Sequence, residues 1–115
     1  MLNKRAIGKK YEELAKKYLI SNNYKIIITN FFTKIGEIDI IAKDKNVLCF
    51  VEVKYRAKDS LVSGLYAVDK VKQKRIYNAA KYYMLTNNIK DDTMCRFDVI
   101  SIDGDDIMHI KNAFP

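Results

Sequence analysis

Two hydrophobic periods run along this chain. Over residues 5–22, Tyr11, Leu14, Ala15, Tyr18 and Leu19 recur at i, i+3, i+4, i+7 and i+8, a single apolar stripe that predicts an amphipathic helix. Lys9, Lys10, Lys16 and Lys17 fall off the stripe, and Ser21-Asn22-Asn23 ends it. The pattern then changes. Residues 24–32 are β-branched and aromatic and predict a strand. Residues 36–42 predict a second strand, and Lys43-Asp44-Lys45-Asn46 a polar turn. Residues 47–55 predict a third strand that closes a hairpin. Ser60, Ser63 and Gly64 mark 56–64 as a loop. The helical period returns over 66–87, with Ile76, Ala79, Ala80 and Tyr83 on one face. Residues 95–102 predict a fourth strand, Asp103-Gly104-Asp105 a turn, and 106–111 a short edge strand. The order α-β-β-β-α-β-β is that of an α/β protein with a mixed central sheet flanked by helices.

Length and composition narrow the class. The chain has 115 residues, with 49% apolar and 30% charged residues, the make-up of one globular domain spanning 1–115. No apolar run approaches the ~18 residues of a membrane span, so no membrane partner is expected. The opening Met1-Leu2-Asn3-Lys4-Arg5 is not followed by the apolar stretch of a secretory signal. Cys49 and Cys95 form no CxxC pair, and with His109 as the single histidine a four-ligand Cys/His zinc site lacks its ligands. The reading is a reduced, cytoplasmic protein.

The net charge of +7 is unevenly placed. Residues 1–34 carry +6 and residues 65–90 carry +5, while 91–115 carry −4 and 35–64 are neutral. The basic excess thus belongs to the two predicted helices. Lysines and arginines so placed suit a polyanion, because contact with a phosphate backbone releases counterions. A solvated helix face accounts for the same lysines.

The neutral middle segment holds a tighter pattern. Side chains alternate across a strand, so Glu37, Asp39 and Ile41 share one face of the second strand, and Ile38, Ile40 and Ala42 the other. In the third strand Leu48, Phe50, Glu52 and Lys54 share a face. A four-residue turn pairs Ala42 with Val47, which sets Glu37 against Glu52. A register shifted by two sets Asp39 against Glu52. In both cases Glu37, Asp39 and Glu52 converge, with Lys54 ending the row. Carboxylates gathered on an apolar sheet repel one another, and each buried ion costs several kcal/mol of desolvation. Protonation relieves this, as does a divalent cation, whose preferred ligands are hard carboxylate oxygens. Mg²⁺ or Mn²⁺ would neutralise two acids and keep water as a nucleophile. Lys54 is placed to orient that water, and the Val53 carbonyl to serve as another oxygen ligand. In the competing reading, Glu37 and Asp39 pair with lysines such as Lys54 or Lys72 in structural salt bridges.

Asp39, twelve further residues, then Glu52-Val53-Lys54 resembles the PD-(D/E)xK nuclease signature, with Ile38 where the motif's name has proline. The predicted αβββαβ order is similar to the restriction-endonuclease-like core. Gly8-x-x-x-Glu12-x-x-Ala15, Gly36-Glu37-Ile38-Asp39, Phe50-Val51-Glu52-Val53-Lys54-Tyr55-Arg56, Gly64, Lys72-Gln73 and Arg96-Phe97-Asp98-Val99 together resemble the bacterial YraN family. That family is considered similar to archaeal Holliday-junction resolvases. The resemblance implies a Mg²⁺- or Mn²⁺-dependent endonuclease acting on DNA, branched DNA included, and, since resolvases pair their cuts, a homodimer. It implies Asp39 and Glu52 as metal ligands and Lys54 as catalytic lysine. Glu12 corresponds to the helix-borne glutamate that reaches the metal directly or through water. Glu37 is a secondary ligand or an anchor for Lys54. Lys70, Lys72, Gln73 and Arg56 are the candidate phosphate contacts.

Other residues point to structure. Arg96 and Asp98 share a strand face and are expected to pair. His109 is expected at the surface or on the edge strand. Tyr11, Tyr18, Tyr66, Tyr77, Tyr82 and Tyr83 lie near basic residues, where they could stack on bases, although tyrosines at helical spacing are more often core. The alternative to an enzyme is a non-catalytic nucleic-acid-binding module that uses the basic helices alone.

Overall fold

A computed structural model describes residues 3–56 and 68–114. The chain runs α1 (Lys4–Ser21), β1 (Lys25–Thr33), β2 (Gly36–Asp44), β3 (Val47–Arg56), α2 (Lys70–Thr86), β4 (Cys95–Asp103) and β5 (Asp106–Ile110). Each helix starts on a side-chain cap that satisfies an otherwise orphaned amide. Asn3 Oδ1 accepts from the Ala6 amide and Asp69 Oδ1 from the Lys72 amide, both at 2.8 Å. That cap starts α2 at Lys70, with Val68 and Asp69 outside the helix, so the expected start at 66 is corrected. The loop expected over 56–64, with Gly64 and Tyr66, lies outside the described residues except for Arg56, which ends β3.

The five strands form one sheet in the order β1-β2-β3-β4-β5. Only β3 and β4 are parallel, so the sheet is mixed and α2 belongs to the crossover between them. The helices cover opposite faces. Ile76, Ala79, Ala80 and Tyr83 of α2 pack on Ile38, Ile41, Leu48, Phe50 and Val99. Ala15 and Leu19 of α1 pack on Ile40, Ala42, Cys49, Val51, Val53, Ile100 and Ile102. β3 is therefore apolar on both faces because both are covered. Among the described residues, no helix is long and apolar enough to cross a membrane.

Lys45 adopts a φ of 56°, which shortens the β2–β3 turn to Lys45-Asn46 and pairs Asp44 with Val47. The register is the shifted one of the two expected, with Ala42 facing Cys49 and Ile40 facing Val51. The ladder between β2 and β3 stops there. Beyond it, Ile38, Glu37 and Gly36 pair only with Phe31, Phe32 and Thr33 of β1. The two central strands thus fork at Asp39. Alternation breaks at the same point: Ile38 joins Ile41 on the α2 side, away from Ile40 and Ala42, with which it was expected to share a face. A period of two assumes an uninterrupted pleat, and the fork interrupts it. Asn30, on β1 beside the fork, has a φ of 54°. Gly36 lies against α2 so closely that a Cβ there would sit 2.5 Å from the Arg75 carbonyl oxygen.

Candidate active site

The fork opens a cleft of about 340 Å³, lined by Gly8 and Glu12 of α1, Asp39 of β2, Glu52, Val53, Lys54 and Tyr55 of β3, and Lys72 of α2. Four separate elements thus contribute one polar cluster. Where β2 leaves β3, the Val53 amide would lack its ladder partner, and the Asp39 carboxylate replaces it, accepting through Oδ2 at 2.8 Å. This bond fixes Asp39 beside Glu52, which is 6% exposed. Lys72 reaches in from α2, its Nζ 3.0 Å from Glu52 Oε2. Tyr55 stacks on Tyr11 with ring centroids 4.4 Å apart, forming the wall next to Gly8.

Burial, then a hydrogen bond and repulsion from Glu52, push the Asp39 carboxyl up to about 8, against which the Val53 amide acts only in part. Glu12 is raised by burial and then by the charge of Asp39, while a hydrogen bond to Asn30 opposes the rise. Burial, then the neighbouring Lys72, lower the Lys54 ammonium below the ordinary lysine range. For Lys72 burial acts downward as well, but attraction to Glu52 outweighs it and holds the ammonium charged.

The structure thus brings together Glu12, Asp39, Glu52, Val53, Lys54 and Lys72. It separates four other candidates from the cleft. Glu37 is exposed and, with Lys70, lines a neighbouring groove of about 990 Å³, although its charge still reaches Glu12. Arg56 pairs with Asp103 on β4. The Gln73 side chain donates to the Val68 carbonyl at 2.7 Å. Sequence reasoning set Lys72 against Glu37 or Asp39 and missed Glu52 as its partner, and it also missed Gly8 and Tyr55 as lining residues. Strand alternation places Tyr55 opposite Lys54, which hid it.

A second polar cluster lies across the sheet. Asp98 is fully buried, and it accepts from Arg96 Nε at 2.9 Å and from the Asn112 amide at 3.1 Å. His109 Nε2 lies 2.8 Å from the other Asp98 oxygen. Arg96 also reaches Asp44 and the Tyr24 hydroxyl. The expected pairing of Arg96 with Asp98 is present. His109 does lie on the edge strand, but it is not at the surface: its side chain is 5% exposed, with the Tyr18 and Tyr24 rings beside it. Antiparallel pairing of β5 with β4 turns it inward onto Asp98. Tyr83 is buried in the core, whereas Tyr77 and Tyr82 keep about half their surface.

Residues 11–102 match the family described as "Uncharacterised protein family UPF0102". The chain belongs to UPF0102. This is the YraN family that the motifs resembled. A UPF0102 protein of Lachnoclostridium phytofermentans is 42% identical over 113 residues, covering 98% of this chain and 96% of that one. A UPF0102 protein of Thermodesulfovibrio yellowstonii is 44% identical over 108 residues, covering 94% of this chain and 95% of its own length. One from Aliivibrio salmonicida is 40% identical over 114 residues. The match spans the fork and every lining residue of the cleft except Gly8, which precedes it.

The donor set bears on the cation that the nuclease resemblance implies. Among the described residues, no three acidic, histidine or cysteine side chains stand together as a metal-holding group. Two interacting carboxylates, Asp39 and Glu52, line the cleft with Val53 between Glu52 and Lys54. Mg²⁺ is commonly held by one or two carboxylates and completes its shell with water and substrate phosphate. The pair fits that pattern, because a divalent cation would offset the repulsion from Glu52 that helps raise Asp39.

Proposed function

We propose that this UPF0102 protein is a divalent-cation-dependent endonuclease that hydrolyses phosphodiester bonds in DNA, with branched DNA among its substrates. The observation that carries the reading is the meeting of Asp39 and Glu52 at the fork, with Lys54 and Lys72 in the same cleft. Asp39 and Glu52 would hold Mg²⁺ or Mn²⁺ with the Val53 carbonyl, and Glu12 through water. Bound there, the cation supplies Lewis acidity and a water of lowered pKa. Lys54 contributes from the end of the row. Its ammonium meets the charge that grows on the non-bridging phosphate oxygens, in a cleft where the low dielectric strengthens that contact. Tyr55 and Tyr11 wall one side against solvent. The basic faces of α1 and α2 hold flanking phosphates.

The non-catalytic alternative has one observation in its favour. Lys72 already neutralises Glu52, as a purely structural salt bridge would. Cleavage of single-stranded, duplex and four-way-junction DNA, measured with Mn²⁺, Mg²⁺ or chelator, separates the two readings. The nuclease reading expects metal-dependent cutting that Asp39→Ala, Glu52→Ala and Lys54→Ala each abolish. No cutting of any substrate, or full activity in Asp39→Ala, leaves the binding module. In that case DNA binding is unchanged by chelator and falls steeply with salt.

A further inference from the structure

We infer that Lys72 is an exchangeable counter-ion: it occupies the cation position against Glu52 until a divalent ion takes that carboxylate, and it is then released toward the bound polyanion. The inference rests on the nuclease reading and adds to it a coupling between metal loading and substrate binding.

Three features support the exchange. First, Lys72 Nζ sits 3.0 Å from Glu52 Oε2, against a carboxylate that a cation would need. An ammonium and a divalent ion on one buried carboxylate repel each other across a poorly screened distance, so the two occupants compete. Second, Lys72 lines both cavities, the acidic cleft and the groove of about 990 Å³ that also holds Lys34, Lys70 and Arg75. The released ammonium therefore has a cationic surface to join, where a phosphate backbone would lie. Third, the backbone of Lys72 is held independently of its side chain, which ends on Glu52 and beside Lys54. Its amide donates to the Asp69 cap at 2.8 Å, and its side chain is 38% exposed. A flexible four-carbon stem can move the charge without moving α2. Because coupling is reciprocal, a metal that frees Lys72 strengthens polyanion binding, and a polyanion that holds Lys72 strengthens metal binding by the same factor.

Titration calorimetry of the full chain with Mn²⁺, in the absence of nucleic acid, tests this. Lys72→Met removes the competitor and should bind Mn²⁺ about five- to tenfold more tightly than wild type, the scale of one partly exposed ion pair. Lys72→Arg keeps the charge, favours a two-pronged hold on Glu52, and should bind Mn²⁺ more weakly than wild type. Lys74→Met, an exposed change on the same helix, controls for general loss of positive charge and should move the affinity less than about twofold. Thermal unfolding with and without Mn²⁺ gives a second readout, with a larger Mn²⁺-induced rise in Tm for Lys72→Met than for wild type. Anisotropy of a short fluorescent oligonucleotide, with Ca²⁺ as an ion taking the same oxygen ligands, reads the coupling. Ca²⁺ should strengthen binding to wild type, and that gain should shrink in Lys72→Met. If wild type binds Mn²⁺ but the Met and Arg variants shift in the same direction, or the Ca²⁺ gain is unaltered in Lys72→Met, the exchange is wrong and the nuclease reading stands. If wild type binds no Mn²⁺, both fall.

Discussion

Asp98, fully buried, and Asp39, half-buried, are two aspartates on one sheet, and the fold treats them in opposite ways. Burial alone would raise both. At Asp98, hydrogen bonds from His109, Arg96 and the Asn112 amide overcome that cost, and the carboxyl lies below its ordinary range. At Asp39 the chain supplies one amide and then a second carboxyl, so the group lies far above it. The difference is one of donors. Where the chain surrounds an acid with donors, the acid holds β4, β5 and the segment after β5 together. Where it withholds them, the acid keeps an unmet demand that a cation from solution can answer.

The comparison breaks most visibly under truncation. Asp98→Ala should cost about 2–4 kcal/mol in chemical denaturation, because it leaves the enclosed His109 ring without its acceptor and takes one of three partners from Arg96. Asp39→Ala should cost far less while removing Mn²⁺ binding in calorimetry. Equal losses of stability would erase the distinction. Gly36→Ala should come next, at about 1–3 kcal/mol, since a Cβ meets the Arg75 carbonyl of α2 rather than a movable side chain. By pushing α2 outward it should also separate Lys72 from Glu52, and its Mn²⁺ affinity should change along with its Tm.

Changing pH sharpens the contrast further. Asp98 has a depressed folded pKa, so its contribution is present above the unfolded value and disappears as pH falls through the folded one. Asp39 has a raised folded pKa. The fold binds its proton more tightly than the unfolded chain does, and stability should decline as pH rises from about 4 toward about 8. In chelator, Asp39→Asn should flatten that decline and leave the acid limb unchanged. A decline of the same slope in Asp39→Asn would show that another group is responsible. The smallest effect is Mn²⁺-induced stabilisation at neutral pH, of about 1 kcal/mol at metal about fourfold above its dissociation constant, present in wild type and absent in Asp39→Ala.

Much of this was legible in the sequence, for physical reasons. Helical and strand periods are local, so the stripe from Tyr11 to Leu19 and the strands around Asp39 and Glu52 could be placed from side-chain order alone. The convergence of Asp39 with Glu52 followed, because cross-strand neighbours on one face depend on parity. What failed depends on contacts distant in sequence. The face of Ile38 was misplaced because the fork at Asp39 is a property of three strands together. The salt bridge from Lys72 to Glu52 depends on how α2 is laid across the sheet, which only Gly36 and its close approach disclose. His109 was expected at the surface or on the edge strand; it is on the edge strand, and its inward turn was hidden because nothing local announces that Asp98 needs it.

The bond from the Val53 amide to Asp39 has a consequence for observation. It makes one backbone proton in the middle of β3 an internal gauge of the carboxyl that accepts it. When that oxygen turns to another occupant the amide must feel the change, and its resonance should migrate in a nitrogen-labelled sample before any substrate is added.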